Sequence, residues 1–350
     1  MIELGISTFG ETTEIEGTGI TPTHDERIRN MIEEMKLADE VGLDLYAIGE
    51  HHREDFAVSA PEILLAAGAA VTKNIRLSSA VTVLSSSDPV RVYQQYATID
   101  AISNGRAEVM VGRGSFTESF PLFGYDLADY EELFDEKLEM LEKIKANEKL
   151  TWKGKHTQKV ENKGVYPRSV QKDFPIWVAT GGNTESTIKI AQKGLPIAYA
   201  IIGGQYKAFK GLIDYYKAIG RHSGFDEKSL KVASHSWGFI AETDEEAIKK
   251  YFHPTKQVVD AISKDRPFWR ALTFEQYLNS VGPEGAMLVG SPETVANKLI
   301  DMIEILRLDR FMLHLPLGSM PHEDIMKAIK LFGEEVAPKV REYFENKVRN

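Results

Sequence analysis

Cysteine is absent from the 350 residues. No disulfide framework, thiolate-held metal or cysteine nucleophile is therefore available, and the cytoplasm is the expected compartment. No segment approaches the roughly 20 apolar residues that a membrane helix needs. Met1 to Phe9 carries no basic stretch leading into a long apolar one, so neither a targeting signal nor a membrane partner is expected. A positive balance is missing as well: 42 basic residues stand against 52 acidic ones, for a net charge of −10. The lysines and arginines are scattered along helical faces rather than clustered. Nucleic acid is therefore a poor partner, and an anionic ligand needs local help. Low-complexity stretches and short repeats are also lacking.

What is present is a chain with 43% hydrophobic residues, enough for one large core. Short β-rich apolar runs alternate with longer segments of helical period, the pattern of parallel βα units. The runs are Glu3 to Phe9, Leu43 to Gly49, Ile75 to Leu84, Ala107 to Gly112, Pro175 to Thr180, Leu195 to Ile201, Lys231 to Ile240 and Arg310 to Leu315. Several are continuously apolar, as strands buried on both faces are. Between them, stripes such as Ile28, Met31, Ile32, Met35 and Ala38, or Val295, Leu299 and Met302, recur at the spacing of one helix face. Eight units returning to a C-terminal helix predict an α/β fold: a single (β/α)8 TIM barrel with insertions, one domain over residues 1–350.

Three segments exceed an ordinary loop: Gly10 to Thr23, Leu150 to Pro167, and His253 to Ala286. The first and third follow strands one and seven, which places them at the C-terminal mouth where barrel enzymes keep their sites. Residues 253–286 are expected to form a lid there. Leu150 to Pro167 reads as a hairpin after a helix and is expected at the bottom or side.

Strand two ends in Glu50-His51-His52, two imidazoles and a carboxylate able to move or hold a proton near neutral pH. Histidines satisfied by local hydrogen bonds account for the same residues. A metal site is disfavoured because neighbours on a strand point to opposite faces. After strand four, Gly112-Arg113-Gly114-Ser115 sets a cation between glycines and suits a phosphate or carboxylate. Strand five ends in Thr180-Gly181-Gly182-Asn183-Thr184-Glu185-Ser186 and enters a helix, whose free N–H groups form a cradle for a phosphate. An ordinary helix cap by Asn183 or Thr184 explains that spacing equally. Phe116, Phe120, Phe123 and Tyr125, with Phe268, Trp269, Phe274 and Tyr277, could roof an apolar pocket or pack as clusters under long loops.

Taken in order, these residues resemble the bacterial-luciferase-like flavin oxidoreductase superfamily over nearly the whole chain. The resemblance is carried by Glu50-His51-His52, by Ala80 to Leu84 with Asp88-Pro89-Val90-Arg91, and by Asn104-Gly105-Arg106 and Gly112-Arg113-Gly114. It extends through Gly181 to Ser186 and Val289-Gly290-Ser291-Pro292-Glu293. It implies His51 as a base near a flavin, with His52 and Glu50 beside it. It implies a ring stacked on strand three, a non-proline cis peptide at Ala80-Val81, and Thr82 bonded to that ring. Arg113, Thr180, Gly181, Gly182 and Ser186 match positions that hold the cofactor phosphate. Two departures stand out: Gly112 replaces luciferase's reactive cysteine, and Asn183 and Thr184 replace the middle residues of the usual phosphate motif.

The resemblance implies an FMN-dependent flavoprotein, a monooxygenase that uses reduced FMN and O2 on a small organic substrate. A deazaflavin (coenzyme F420) hydride-transfer oxidoreductase is the alternative within the family, and a non-catalytic flavin-binding protein lies outside catalysis altogether. A metal-dependent barrel hydrolase is a further reading. No Gly-x-Gly-x-x-Gly follows a strand, so a separate flavin reductase is expected to supply reduced cofactor. Self-association as a homo-oligomer is implied by resemblance alone.

Overall fold

Each of the eight apolar runs forms a strand in the computed structural model, which describes residues 2–114, 116–265 and 270–349. The barrel strands are β1 (Glu3–Thr8), β2 (Leu45–Ile48), β3 (Arg76–Ser79), β4 (Ala107–Gly112), β5 (Ile176–Thr180), β6 (Ile197–Ala200), β7 (Val232–Ile240) and β8 (Arg310–His314). They pair in chain order, all parallel, and β8 returns to β1 with Arg310 opposite Glu3. The result is a closed barrel with helices outside. A two-residue strand, Thr82–Val83, resumes beside Val111 and Gly112 of β4 after a break at Ala80-Val81, where the peptide bond is cis as the resemblance implies.

The barrel interior is layered by residue type. At the bottom, Arg310 is ion-paired with Glu108 and Glu3, and its guanidinium lies 4.3 Å from the Trp177 ring centroid. Above it Leu45, Ala47, Met110, Ala198, Ala233 and Met312 form a second apolar cluster. The helices start at the mouth, several with a side-chain cap: Thr23, Asp88, Asn183 and Ser291 each accept an N–H from three residues on. Such caps satisfy first-turn donors and set the positive ends of the helices around the mouth.

Leu150 to Pro167 contains an antiparallel ribbon, Lys149–Trp152 with Val160–Gly164. It lies along the side of the barrel, where Gln158 donates to Asp88 Oδ2 (3.1 Å) and Thr157 to Glu136 Oε1 (2.6 Å). Residues 253–286 differ from the irregular segment that the sequence suggests. One helix runs from Asp244 to Asp265 straight through Pro254, and another, Phe274–Val281, opens on a capping box made by Thr273 and Gln276. A proline removes one N–H bond. Here Tyr251, Pro254, Thr255 and Val259 are all buried, and packing of that stripe carries the helix past the break. Phe268, Trp269 and Ser115 lie outside the described residues.

Candidate active site

A cavity of about 690 Å³ opens at the C-terminal mouth, lined from every strand of the barrel. The three residues after β2 divide between two directions. His51 lines this cavity, with Phe9 at 4.7 Å and Phe116 at 5.1 Å from its ring centroid. His52 points away, its Nε2 2.8 Å from Glu50 Oε1 and its ring edge-on to Phe123. Glu50 is fully engaged, because its other oxygen accepts the Val83 N–H at 2.8 Å. The expectation of three catalytic groups at one point is therefore corrected: strand-like alternation splits the histidines, and Glu50 braces β2 against the segment after β3. Burial, reinforced by His314, His52 and Arg53, pushes the His51 imidazole down to about 3. It is a neutral ring at any ordinary pH.

Ala80, Val81 and Val83 form one wall of the cavity. Thr82 does not face it. Its neighbours point inward, so alternation turns its hydroxyl outward to within 2.9 Å of the Tyr96 hydroxyl, and the expected side-chain bond from Thr82 to a flavin ring is not available. Gly112 lies against this wall. A Cβ there would sit 2.8 Å from Val81 Cγ2, so the glycine lets β4 approach the platform.

The other end of the cavity is built for an anion. Arg113, Thr180, Gly181, Gly182 and Asn183 line it. Asn183 caps the helix Thr184–Lys193, accepting the Ser186 N–H at 2.9 Å, so the ordinary-cap reading of this motif holds. With the Ser186 N–H taken by the cap, the Thr184 and Glu185 N–H groups still have no acceptor within the helix and remain available to a ligand. Gly182 has φ of +101°, a conformation that favours glycine. Ser186 does not line the cavity; it is buried, and its Oγ accepts from Arg113 Nη2 at 2.8 Å. It acts on a bound anion through Arg113 rather than by touching it. Arg113 also meets Glu131 at 3.2 Å and lies over Phe134, while its Nε is buried without a partner. A guanidinium with an orphaned N–H, an open stretch at Gly181 and a helix N-terminus together fit an anionic group such as a cofactor phosphate.

Several contributors are not legible as site residues in the sequence. His235, Trp237 and Met312 complete the wall across from Ala80 and Val81, and Phe9 joins it to their side of the cavity. Behind them His314 is fully buried, with Nε2 2.9 Å from Glu11 Oε1. The signal that could have found His235 and His314 is an ionisable residue inside an otherwise apolar strand. The aromatic roof is smaller than the sequence suggests. Phe116 lines the cavity, but Phe120 stacks on Tyr130, Tyr125 lies under Lys137, Phe123 is exposed, and Phe274 and Tyr277 cluster on Phe252.

A family model described as luciferase-like monooxygenase matches residues 2–308, and the chain belongs to that family. The N-acetyl-S-alkylcysteine monooxygenase of Bacillus subtilis (strain 168) is 26% identical over 311 residues, 85% of this chain and 89% of that one. Among solved structures, a monooxygenase of Streptomyces bottropensis superposes with a TM-score of 0.84 at 22% identity, covering 96% of this chain and 99% of the other. The oxygenating constituent of 3,6-diketocamphane monooxygenase from Pseudomonas putida, in complex with FMN, gives 0.76 at 19% identity over 97% and 99%. A coenzyme F420 dependent tetrahydromethanopterin reductase from Methanopyrus kandleri gives 0.72 at 18% over 96% and 99%. The family is one of monooxygenases, and of these neighbours one is described with FMN and one as coenzyme F420 dependent.

Proposed function

We propose that the protein is a monooxygenase that takes reduced FMN and dioxygen and oxidises a small, largely apolar organic substrate. The observation that carries this reading is one cavity joining a cationic end at Arg113 to an apolar platform at Ala80 and Val81, with the neutral His51 imidazole on its wall. When bound, the reduced flavin supplies the electrons that activate dioxygen. Arg113, Thr180, Gly181, Gly182 and the helix at Thr184 hold its phosphate, with Ser186 steadying Arg113. Ala80 and Val81 seat the ring.

His51 is the proton-handling group. As a buried neutral imidazole it donates or accepts a hydrogen bond, and an anionic group bound beside it would raise its basicity. Glu50 and His52 fix the strand end that presents it. The helix Asp244–Asp265 brings Ile262 to the cavity, where it serves as part of the cover that keeps water out. A separate flavin reductase supplies the reduced cofactor.

FMN is favoured over a deazaflavin by the charges around the anion end. Lys189 is paired with Asp135 (2.8 Å) and Glu185 (3.2 Å), and Lys193 with Glu142 (2.6 Å). Asp135, Glu136 and Glu139 line the adjoining cleft of about 330 Å³. Arg113, Lys189 and Lys193 line the same cleft, so its charges balance: one phosphate on Arg113 suits this setting, whereas the oligoanionic tail of a deazaflavin would find no excess of positive charge. The test is an anaerobic titration of the protein with reduced FMN, oxidised FMN and the deazaflavin, followed by admission of air. Reduced FMN is expected to bind most tightly and to consume oxygen. Preference for the deazaflavin would transfer the chain to the hydride-transfer branch, and no binding of either would remove the cofactor assignment.

A further inference from the structure

His51 stands between two spaces. One is the main cavity; the other is a pocket of about 10 Å³ bordered by Glu50, His51, His52, Phe116, Glu118 and Ser119. That volume holds one water molecule. Ser119 opens the short helix Ser119–Phe123 after β4, is 2% exposed, and its hydroxyl has no hydrogen-bond partner among the described residues. A buried hydroxyl in that condition is ordinarily satisfied by a buried water where the space and further polar neighbours allow one.

The two carboxylates on this pocket are not equivalent. Glu50 is buried and has both oxygens engaged, by His52 and by the Val83 N–H. Glu118 reaches the surface: its side chain is 35% exposed, and Arg53 Nη1 stands 3.4 Å from its Oε1. Glu118 is therefore the one in exchange with solvent. His51 needs such an outlet. Burial, with His314, His52 and Arg53 adding to it, disfavours the protonated imidazole, so a proton taken from the main cavity does not stay on the ring. With cofactor and substrate filling the main cavity, the way out lies through the second pocket.

We propose that this pocket holds one water, steadied by the Ser119 hydroxyl, which passes protons between the His51 imidazole and the Glu118 carboxylate and so connects His51 to solvent. The proposal rests on the reading of His51 as the proton-handling group. An N–H proton of the His51 imidazolium moves to the water as the water gives one of its own to Glu118. Glu118 then releases that proton to solvent, and no electron changes place. Ser119 and Glu118 act through His51, the first by positioning the water and the second as the outer end of the relay.

The experiment loads the protein with reduced FMN anaerobically, admits air, and follows reoxidation by the flavin absorbance. Reduced FMN and O2 go to FMN and hydrogen peroxide, a conversion that cannot finish without proton transfer. The wild type is compared with Ser119→Ala, Glu118→Gln, Glu118→Asp and His51→Asn, and with Ser119→Ala and Glu118→Gln each placed in the His51→Asn background. Reduced-FMN affinity and thermal melting are recorded for all. Ser119→Ala and Glu118→Gln should each slow reoxidation about 10-fold, less than the roughly 100-fold or more that a directly acting acid or base contributes. Glu118→Asp should keep most of the wild-type rate, and added formate should restore Glu118→Gln. Neither substitution should slow His51→Asn any further, and reduced-FMN affinity should be the same throughout. Wild-type rates in Ser119→Ala and Glu118→Gln, slowing that formate does not relieve, or equal slowing with and without His51 would each overturn the proposal. A wild-type rate in His51→Asn overturns the reading of His51 on which the proposal stands, and a wild type that takes up no reduced FMN overturns the cofactor reading before air is admitted.

Discussion

Arg113 Nη2 donates to Ser186 Oγ at 2.8 Å, tying the end of β4 to the first turn of the helix after β5. The two residues are 73 positions apart, and the bond aligns a guanidinium with a helix N-terminus on one side of the cavity. Ser186 is in turn held by Asn183, whose Oδ1 accepts both its N–H and its hydroxyl, at 2.9 and 3.2 Å. A phosphate arriving here meets a cation already oriented, so little side-chain entropy is lost in ordering it.

That arrangement sets the cost of losing each member. Arg113→Ala removes a charge-assisted contact of about 1.5–3 kcal/mol, which corresponds to roughly 10- to 100-fold weaker FMN binding. Ser186→Ala leaves the cation held by Glu131 and Phe134 without its tie to the helix, and should weaken binding by only a few fold. Arg113→Lys should resemble Arg113→Ala more than the wild type, because an ammonium cannot reach Ser186 and a phosphate with the same planar fork. Quenching of FMN fluorescence measures all three. Equal affinities would place the phosphate elsewhere.

The platform can be tested from behind. Gly112→Ala puts a methyl group 2.8 Å from Val81 Cγ2 and 3.2 Å from Cγ1, and Val81 must move toward the cavity. The glycine's backbone is not in the left-handed region, so the fold should tolerate alanine. The expected result is FMN affinity reduced several-fold with a melting temperature close to that of the wild type. An unchanged affinity would mean that the flavin ring does not rest on Val81.

The barrel was legible because its strands are buried on both faces, which writes itself into sequence as runs such as Ala107 to Gly112 and Lys231 to Ile240. The glycine-rich strand ends at Gly112-Arg113-Gly114 and Gly181-Gly182 were legible as turns, and the helix cap that the sequence offered at Asn183 as readily as an anion cradle is what forms there. Alternation told that the two histidines diverge but not which of them faces the cavity. Glu50, His51 and His52 are adjacent letters, yet His51 alone of the two histidines faces the main cavity. Thr82 is placed by the same alternation, with Val81 and Val83 taking the inward positions. His235 and Glu11 were hidden more deeply. Their surroundings come from strands and loops far apart in the chain, His314 and Glu11 being 303 residues apart, and no local pattern marks such a pairing. The helix through Pro254 was missed because burial of Tyr251 and Val259, a tertiary effect, outweighs the local preference of proline.

Stability at the closed end of the barrel should be separable from the site. Arg310 is buried between Glu108 and Glu3, so Arg310→Met leaves the buried Glu108 carboxylate with only the longer contact to Arg76, at 3.7 Å. Breaking a buried pair on one side costs about 3–5 kcal/mol, whereas replacing both partners by apolar groups is often close to neutral. Urea unfolding should therefore show a large loss for Arg310→Met and a partial recovery for the double variant Arg310→Met with Glu108→Met. FMN affinity, set at the mouth, should change little in either. A single variant as stable as the wild type would mean that Glu108 protonates or is rehydrated at no cost.

His51 gives both a pH dependence and a functional readout. Its imidazole is held at about 3 by burial, with His314, His52 and Arg53 adding to the effect, and His235 is lowered in the same direction. Unfolded, each ring takes up a proton below about 6.5. Between roughly pH 6.5 and 3 the unfolded state therefore binds more protons than the folded one, and stability present above 6.5 is lost as the pH falls. The limiting slope is about 1.4 kcal/mol per pH unit for each ring. Glu34, which burial would raise but Arg27, His322 and Tyr46 together hold at about 2, adds its own loss only below its ordinary 4.5. Burial raises the Glu62 carboxyl above 4.5, into the interval from pH 6.5 to 4.5, but it contributes equally to wild type and variant, so the difference between the two across that interval isolates His51. His51→Asn should show a melting temperature that falls less steeply across that interval than the wild type's, keep its FMN affinity, and lose most turnover. A variant with the wild-type pH slope would show that the His51 ring is protonated in the folded protein, and one with wild-type turnover would take His51 out of the chemistry.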